Sequence, residues 1–165
     1  MPVDGVMAAF GLLALSLIAS QWALGTAMTL VFLLYVAVTS LYSLWLKHFA
    51  VVDVVTLTCL YTLRIFAGGV AIGFLPSGWL LNFSLFFFLS LALMKRFIEL
   101  VRLRDLGLSQ SRGYSVDDLD AILPMGTATG GLAVLTLTLY LNSAFVEATY
   151  ASPRLLWGIA PLTLF

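Results

Sequence analysis

Between Gly5 and Leu46 the chain carries no charged side chain. One straight helix over that stretch would be roughly 60 Å long, about twice the 30 Å hydrocarbon core of a bilayer. Two spans fit where one does not, provided that the run is interrupted near its middle. The interruption is expected in "SQWALGT", Ser20 to Thr26, where Gln21, Gly25 and Thr26 break the apolar pattern and Trp22 supplies a ring favoured at a membrane interface. The pattern therefore predicts spans near residues 5–20 and 27–46.

The remainder of the chain continues in the same way. With 62% hydrophobic and 10% charged residues and a mean hydropathy of +1.08, it departs from an ordinary soluble domain, which is about 45 to 50% apolar and about 25% charged. Its 165 residues suffice for roughly five or six spans of about 20 residues and leave no room for a sizeable soluble domain. A third span is expected from about Val52 to Ile72 and a fourth from about Gly78 to Met94. Between them, "GFLPSGW" places Gly73, Pro76 and Gly78 in a short turn, with Trp79 at the interface. The one clearly aqueous stretch is Lys95 to Asp120, in which charges persist at helical spacing through Arg102 and Arg104. "SVDD", Ser115 to Asp118, then has the form of a capping box that starts a helix. A fifth span follows from about Pro124 to Leu141, with "GTATG", Gly126 to Gly130, offering small residues for close helix packing. A last apolar run from Leu155 to Phe165 is too short to span, and "MPVDG" leads directly into the first span with no signal-peptide charge region. The chain reads as a fragment at both ends: an all-α, polytopic bundle of about five full spans and a truncated sixth.

Charge distribution orients it. The formal net charge is zero, so what matters is where the cations fall. An N-terminus on the cytoplasmic side collects Lys47, Lys95, Arg96, Arg102, Arg104 and Arg112 inside and leaves Arg154 outside. Nothing in this pattern suits nucleic acid. The lone Cys59, inside an apolar run, has no disulfide partner and reads as a packing residue.

Three features share the inner side: "YSLWLKH" (Tyr42 to His48), Asp53 at the start of the third span, and "KRFIEL" (Lys95 to Leu100) after the fourth. Basic groups at neighbouring helix ends suit a phosphate or diphosphate, although a lysine at such an end also serves simply as a topology signal. Asp53 likewise suits the positive end of a helix, and Glu99 suits a pair with Lys95 one turn away. Arg64 is harder to explain by default. It lies eleven residues after Asp53, about 16 Å deeper on the same face of the helix. An arginine at that depth is costly unless it faces a cavity or a partner, so it is expected to face the bundle interior, with Gly68 and Gly69 marking a close helix contact one turn on. Its partner would be a backbone carbonyl, a segment beyond this chain or a bound anion, because no acid lies at its depth. Zinc-ligand spacing, a Ser/His/Asp grouping and a glycine-rich phosphate loop are all lacking.

In these residues the chain resembles a family. "LYSLWLKHFAVVDVVTLTCLYTLRIFAGGVAIG" followed by "SGWLLNFSLFFFLSLALMKRFIEL" is similar to the middle of UbiA-type membrane transferases, nearest the decaprenyl-phosphate phosphoribosyltransferase-like branch. "RGYSVDDLDAILPMGTATGGLAVLTLTLYLNS" resembles bacterial proteins in which a dehalogenase-like domain precedes the UbiA part. The resemblance implies a nine-helix bundle around a cytoplasm-facing cavity, of which residues 1–165 supply helices three to eight as a partial UbiA-type domain. It further implies a polyprenyl lipid substrate, a diphosphate donor, Mg2+ and a place in a bacterial inner membrane. The first aspartate-rich motif of the family, N-D-x-x-D, would lie upstream of Met1, on helices missing from this chain. The second, D-x-x-x-D, is replaced here by Lys95, Arg96 and Glu99. On this basis Tyr42, Lys47, Arg64, Lys95 and Arg96 are candidates for diphosphate or anion binding, with Asp53 and Glu99 in support or near the metal; no catalytic residue is assigned. Three readings follow from the sequence: a Mg-dependent UbiA-type prenyl transferase, a polyprenyl-phosphate phosphoribosyltransferase, and a non-catalytic membrane anchor or assembly partner.

Overall fold

A computed structural model describes residues 2–108, 110–111, 113–143 and 146. Four helices dominate them: α1 (Pro2–Leu44), α2 (Val52–Ala71), α3 (Gly78–Asp105) and α4 (Leu119–Leu141). A single 3-10 turn, Leu46–His48, joins α1 to α2. Between α3 and α4, strands β1 (Gln110–Ser111) and β2 (Tyr114–Ser115) pair antiparallel, and a second 3-10 turn, Val116–Asp118, runs into α4.

The break expected in the first uncharged run falls at Gly25, whose φ of 79° and ψ of −176° belong to glycine alone. Ser20 and Thr29, which would stand roughly 13.5 Å apart along a straight helix, bring their hydroxyl oxygens to 3.5 Å. The two arms of α1 therefore fold sharply toward each other. Thr29 also donates to the Gly25 carbonyl (3.0 Å), so the break is closed locally.

Most of α1 is exposed apolar surface; Trp22 is 91% and Leu12 68% exposed. Among the described residues, three helical stretches are long and apolar enough to cross a membrane: Gly11–Leu44, Val52–Ala71 and Val116–Leu141. Such surface is tolerable in lipid and not in water, and the chain is an integral membrane protein. The truncated sixth run, Leu155 to Phe165, lies outside the described residues, as do Arg112 and Arg154.

Helix ends follow local chemistry. Ser77 caps α3 by accepting from the Leu80 amide (3.2 Å). Both α2 and α3 end in Schellman motifs with a glycine in the left-handed region: Phe74 donates to the Gly69 carbonyl over Gly73, and Leu108 to the Leu103 carbonyl over Gly107. The capping box at Ser115 and Asp118 forms, with the Ser115 amide donating to the Asp118 carboxylate at 2.8 Å. The helix that it starts begins at Leu119, where the box places it, and runs unbroken through the stretch expected to span from about Pro124, with Pro124 inside α4.

Packing is closest between α3 and α4. Ser90 donates to the Gly126 carbonyl at 2.9 Å, and a Cβ at Gly130 would stand 3.1 Å from the Ser90 hydroxyl, so the small residues of "GTATG" do admit a neighbouring helix. Gly68 and Gly69 do not mark a helix contact. A Cβ on Gly69 would meet the Phe74 carbonyl oxygen and the Pro76 ring at 2.5 Å, because the returning turn lies over it, whereas Gly68 faces open space.

These two neighbours should therefore respond oppositely to alanine. Gly68→Ala is expected to hold or raise stability by about 0.5 to 1 kcal/mol, the helix-interior preference, and Gly69→Ala to lower it by about 1 to 3 kcal/mol through overpacking. Thermal unfolding of both variants in detergent checks this; equal melting temperatures would refute it.

Candidate functional site

Tyr42 lies in the last turn of α1, Asp53 in the first turn of α2, and Arg96 with Glu99 on one face of α3, three residues apart. The connection through the Leu46–His48 turn is short, so Tyr42 and Asp53 come to the same level although eleven residues separate them. Helix α3 stays helical to Asp105, well past the end of its apolar run, and so carries Arg96 beside Asp53.

Asp53 is fully buried and Arg96 is 2% exposed. The guanidinium grips the carboxylate with two bonds, Nε to Oδ2 at 2.5 Å and Nη2 to Oδ1 at 2.9 Å. Tyr42 adds a third, its hydroxyl donating to Oδ1 at 2.7 Å. The remaining face of Arg96 meets Glu99 through Nη1. A buried pair is tolerated only when its geometry and secondary hydrogen bonds offset the loss of hydration; here a bidentate fork and a phenol meet that condition. Glu99 thus joins Arg96, although the spacing had suited Lys95 equally well.

Other anticipated residues stand apart from this cluster. Lys47, on the 3-10 turn, is half-buried and makes no ion pair among the described residues. Lys95 makes no ion pair among the described residues and lines an open cavity of about 280 Å³ with Leu57, Tyr61, Phe88, Leu91 and Ala92. Arg64 also stays separate. It is exposed at a second cavity of about 290 Å³, lined by Met28, Val31, Phe32, Tyr35, Ala67 and Gly68. Its partner is none of the three expected: Nε donates to the Tyr35 hydroxyl at 3.0 Å, and the guanidinium lies over the Tyr35 and Tyr61 rings, 5.3 and 5.1 Å from their centroids.

Tyr114 was not anticipated at all. It is buried against Val54, Leu100, Leu119 and Ile122, and its hydroxyl accepts from the Val51 amide at 2.8 Å. Burial pushes its pKa above the ordinary phenol value; the Val51 hydrogen bond acts the other way, and the nearby Asp53 charge raises it again. The phenol therefore remains neutral at physiological pH. Its only sequence signal was "RGYS", a glycine beside an aromatic in a polar loop.

The carboxylates in this cluster do not fit a magnesium ion. Mg2+ needs oxygens free to ligate it, and both Asp53 oxygens already receive donors from Arg96 and Tyr42, while Arg96 also holds Glu99. Among the described residues no three His, Cys, Asp or Glu side chains group as a metal site.

Comparison with known proteins gives partial relatives. An uncharacterized protein, y4nM, of Sinorhizobium fredii is 37% identical over 131 residues, 78% of this chain and 25% of its own length. The nodulation protein NoeC of Azorhizobium caulinodans is 34% identical over 114 residues, 68% of this chain and 37% of its own. Decaprenyl-phosphate phosphoribosyltransferase of Mycolicibacterium smegmatis is 37% identical over 90 residues, 54% of this chain and 28% of its own. The chain thus spans a quarter to just over a third of the length of these relatives. No family model matches it, and no solved structure does.

Removing Asp53 leaves Arg96 buried with Glu99 as its one remaining carboxylate of the pair. Asp53→Ala is expected to cost about 3 to 5 kcal/mol, the range for breaking a buried pair, and Tyr42→Phe about 0.5 to 1.5 kcal/mol. Asp53→Ala combined with Arg96→Ala should cost less than the sum of the two single changes, because each single change strands a charge. Unfolding in detergent micelles measures all four; strict additivity would mean that the pair is not coupled.

Proposed function

We propose that this chain is part of a UbiA-type integral-membrane transferase that joins a group from a diphosphate donor to a polyprenyl substrate. The observation that carries this reading is the convergence of Tyr42, Asp53, Arg96 and Glu99 from three helices at their polar ends, in a chain that otherwise lives in lipid. Phosphoribosyl transfer to a polyprenyl phosphate is the favoured form. Two observations support it: the name of the Mycolicibacterium relative, and the replacement of a second aspartate pair by Lys95, Arg96 and Glu99.

In this reading an oxygen of the lipid phosphate bonds to the anomeric carbon of the ribose as the bond to the diphosphate breaks, and the diphosphate leaves with the electron pair. What the protein supplies is charge and exclusion of water. Lys47 and Lys95, which hold no carboxylate among the described residues, are available to the departing diphosphate. The Asp53 and Arg96 pair is already satisfied and fixes the ends of α1, α2 and α3 relative to one another. Arg64 with Tyr35 would offer a further anion contact. Any magnesium would be held by side chains beyond the described residues, on the missing helices of a full-length protein. Two arms of α1 as separate spans, the apolar part of α3 as a further one, and a cytoplasmic position for Lys47 and Lys95 complete the arrangement within a nine-helix bundle in a bacterial inner membrane.

Titration of the full-length protein with phosphoribosyl diphosphate tests the proposal. In that protein Lys47→Ala should weaken donor binding by about 1.5 to 3 kcal/mol, the range for a hydrogen bond to a charged group, with expression and orientation unchanged. Unchanged affinity would make Lys47 an anchor of topology alone. A wild type that binds no donor would favour the non-catalytic anchor.

A further inference from the structure

The segment that delivers Asp53 is strained. Val51 has φ 65° and ψ −54°, and the Val52 amide donates to the Ala50 carbonyl at 2.7 Å. That is a γ-turn of the rare hand, centred on a β-branched residue that avoids positive φ. Helix α2 begins directly after it, with the Asp53 amide bonded to Phe49 and the Val55 amide to Val51. The conformation of Val51 therefore sets the direction in which Asp53 enters the cluster.

Something must hold such a turn in place. The α3–α4 connection does so at two points. Tyr114, 5% exposed and fixed in the core, accepts the hydrogen bond of the Val51 amide. Gly113, with φ 77°, presses on the same segment so closely that a Cβ there would stand 2.5 Å from the His48 carbonyl oxygen and 3.2 Å from the Ala50 nitrogen. Two loops far apart in sequence, 46–51 and 113–115, are thereby locked together beside the buried pair.

We propose that Tyr114 is a positioning residue: by holding the Val51 amide it keeps the strained turn closed and so keeps Asp53 in place for Arg96 and Tyr42. Its consequence for donor binding rests on the function proposed above; its consequence for Arg96 does not. A simple loop tether would stabilise the hairpin and leave the cluster untouched.

The test uses the full-length protein as wild type, Tyr114→Phe, and Tyr114→Phe combined with Val51→Gly, since glycine takes φ 65° without strain. Three readouts are needed: hydrogen exchange at the Val51 amide, modification of Arg96 by phenylglyoxal followed by mass spectrometry, and affinity for phosphoribosyl diphosphate. Tyr114→Phe should speed exchange at Val51, expose Arg96 to the reagent, and weaken donor affinity roughly 2- to 13-fold, the effect of one lost hydrogen bond. The double variant should restore Arg96 protection and most of the affinity, while melting temperatures of the two variants stay close. Arg96 that remains protected in Tyr114→Phe overturns the proposal, and so does a double variant as impaired as the single one. A wild type that binds no donor overturns the functional reading instead, and Arg96 protection then still decides the role of Tyr114.

Discussion

The buried contact between Asp53 and Arg96 is the constraint around which the described structure is arranged. Two charges removed from water are tolerable only if nearly every donor and acceptor is matched. The matching groups come from separate helices: Tyr42 from α1, Asp53 from α2, Arg96 and Glu99 from α3. A shift of α2 or α3 by a turn would strand a charge and a shift of α1 would withdraw the Tyr42 hydroxyl, so the cluster fixes their mutual height in a way that apolar packing alone does not. The length of α3 has the same origin. Its apolar part ends at Met94, but the helix must persist into the polar region to hold Arg96 and Glu99 on one face, and it stops only at the glycine motif after Asp105.

Much of this was legible where the determinants are local. The interruption of the first uncharged run needed a residue free to leave helical space, and Gly25 was the one candidate without a Cβ in the expected window. Ser115 and Asp118 wrote a helix start into four residues, and the small residues after Pro124 allowed for the approach of Ser90. The pairing of Asp53 with Arg96 was not legible, because forty-three residues separate them and no periodicity reaches across the turn between α2 and α3. Glu99 was ambiguous for a subtler reason: Lys95 and Arg96 lie four and three residues before it, and both spacings face it. The structure decides between them: the Arg96 guanidinium, buried by its fork to Asp53, still has Nη1 free to meet Glu99.

Arg64 shows a different limit. Depth in the apolar run correctly marked it as a side chain in need of a partner, but acids, carbonyls and anions do not exhaust the possibilities. Tyr35 offers a hydroxyl and a ring face together, and Tyr61 a second face. An aromatic collar spreads the cation's field without burying a counter-charge. A tyrosine in an apolar run reads as packing or interface until its neighbour is known.

The distribution of cations then separates two tasks. Arg96 is enclosed and held by two carboxylates, so an incoming anion would have to compete with groups already in place. Lys47 and Lys95 stand apart from it and have no such partner among the described residues. A rigid, internally neutralised pair is suited to setting geometry, and mobile uncompensated ammonium groups to meeting a ligand whose charge changes as a bond breaks. The strained turn at Val51 belongs with the first task. It lies between Lys47 and Asp53, so the segment that presents a lysine to the polar edge also sets the carboxylate that locks the helices, and one loop contact at Tyr114 bears on both.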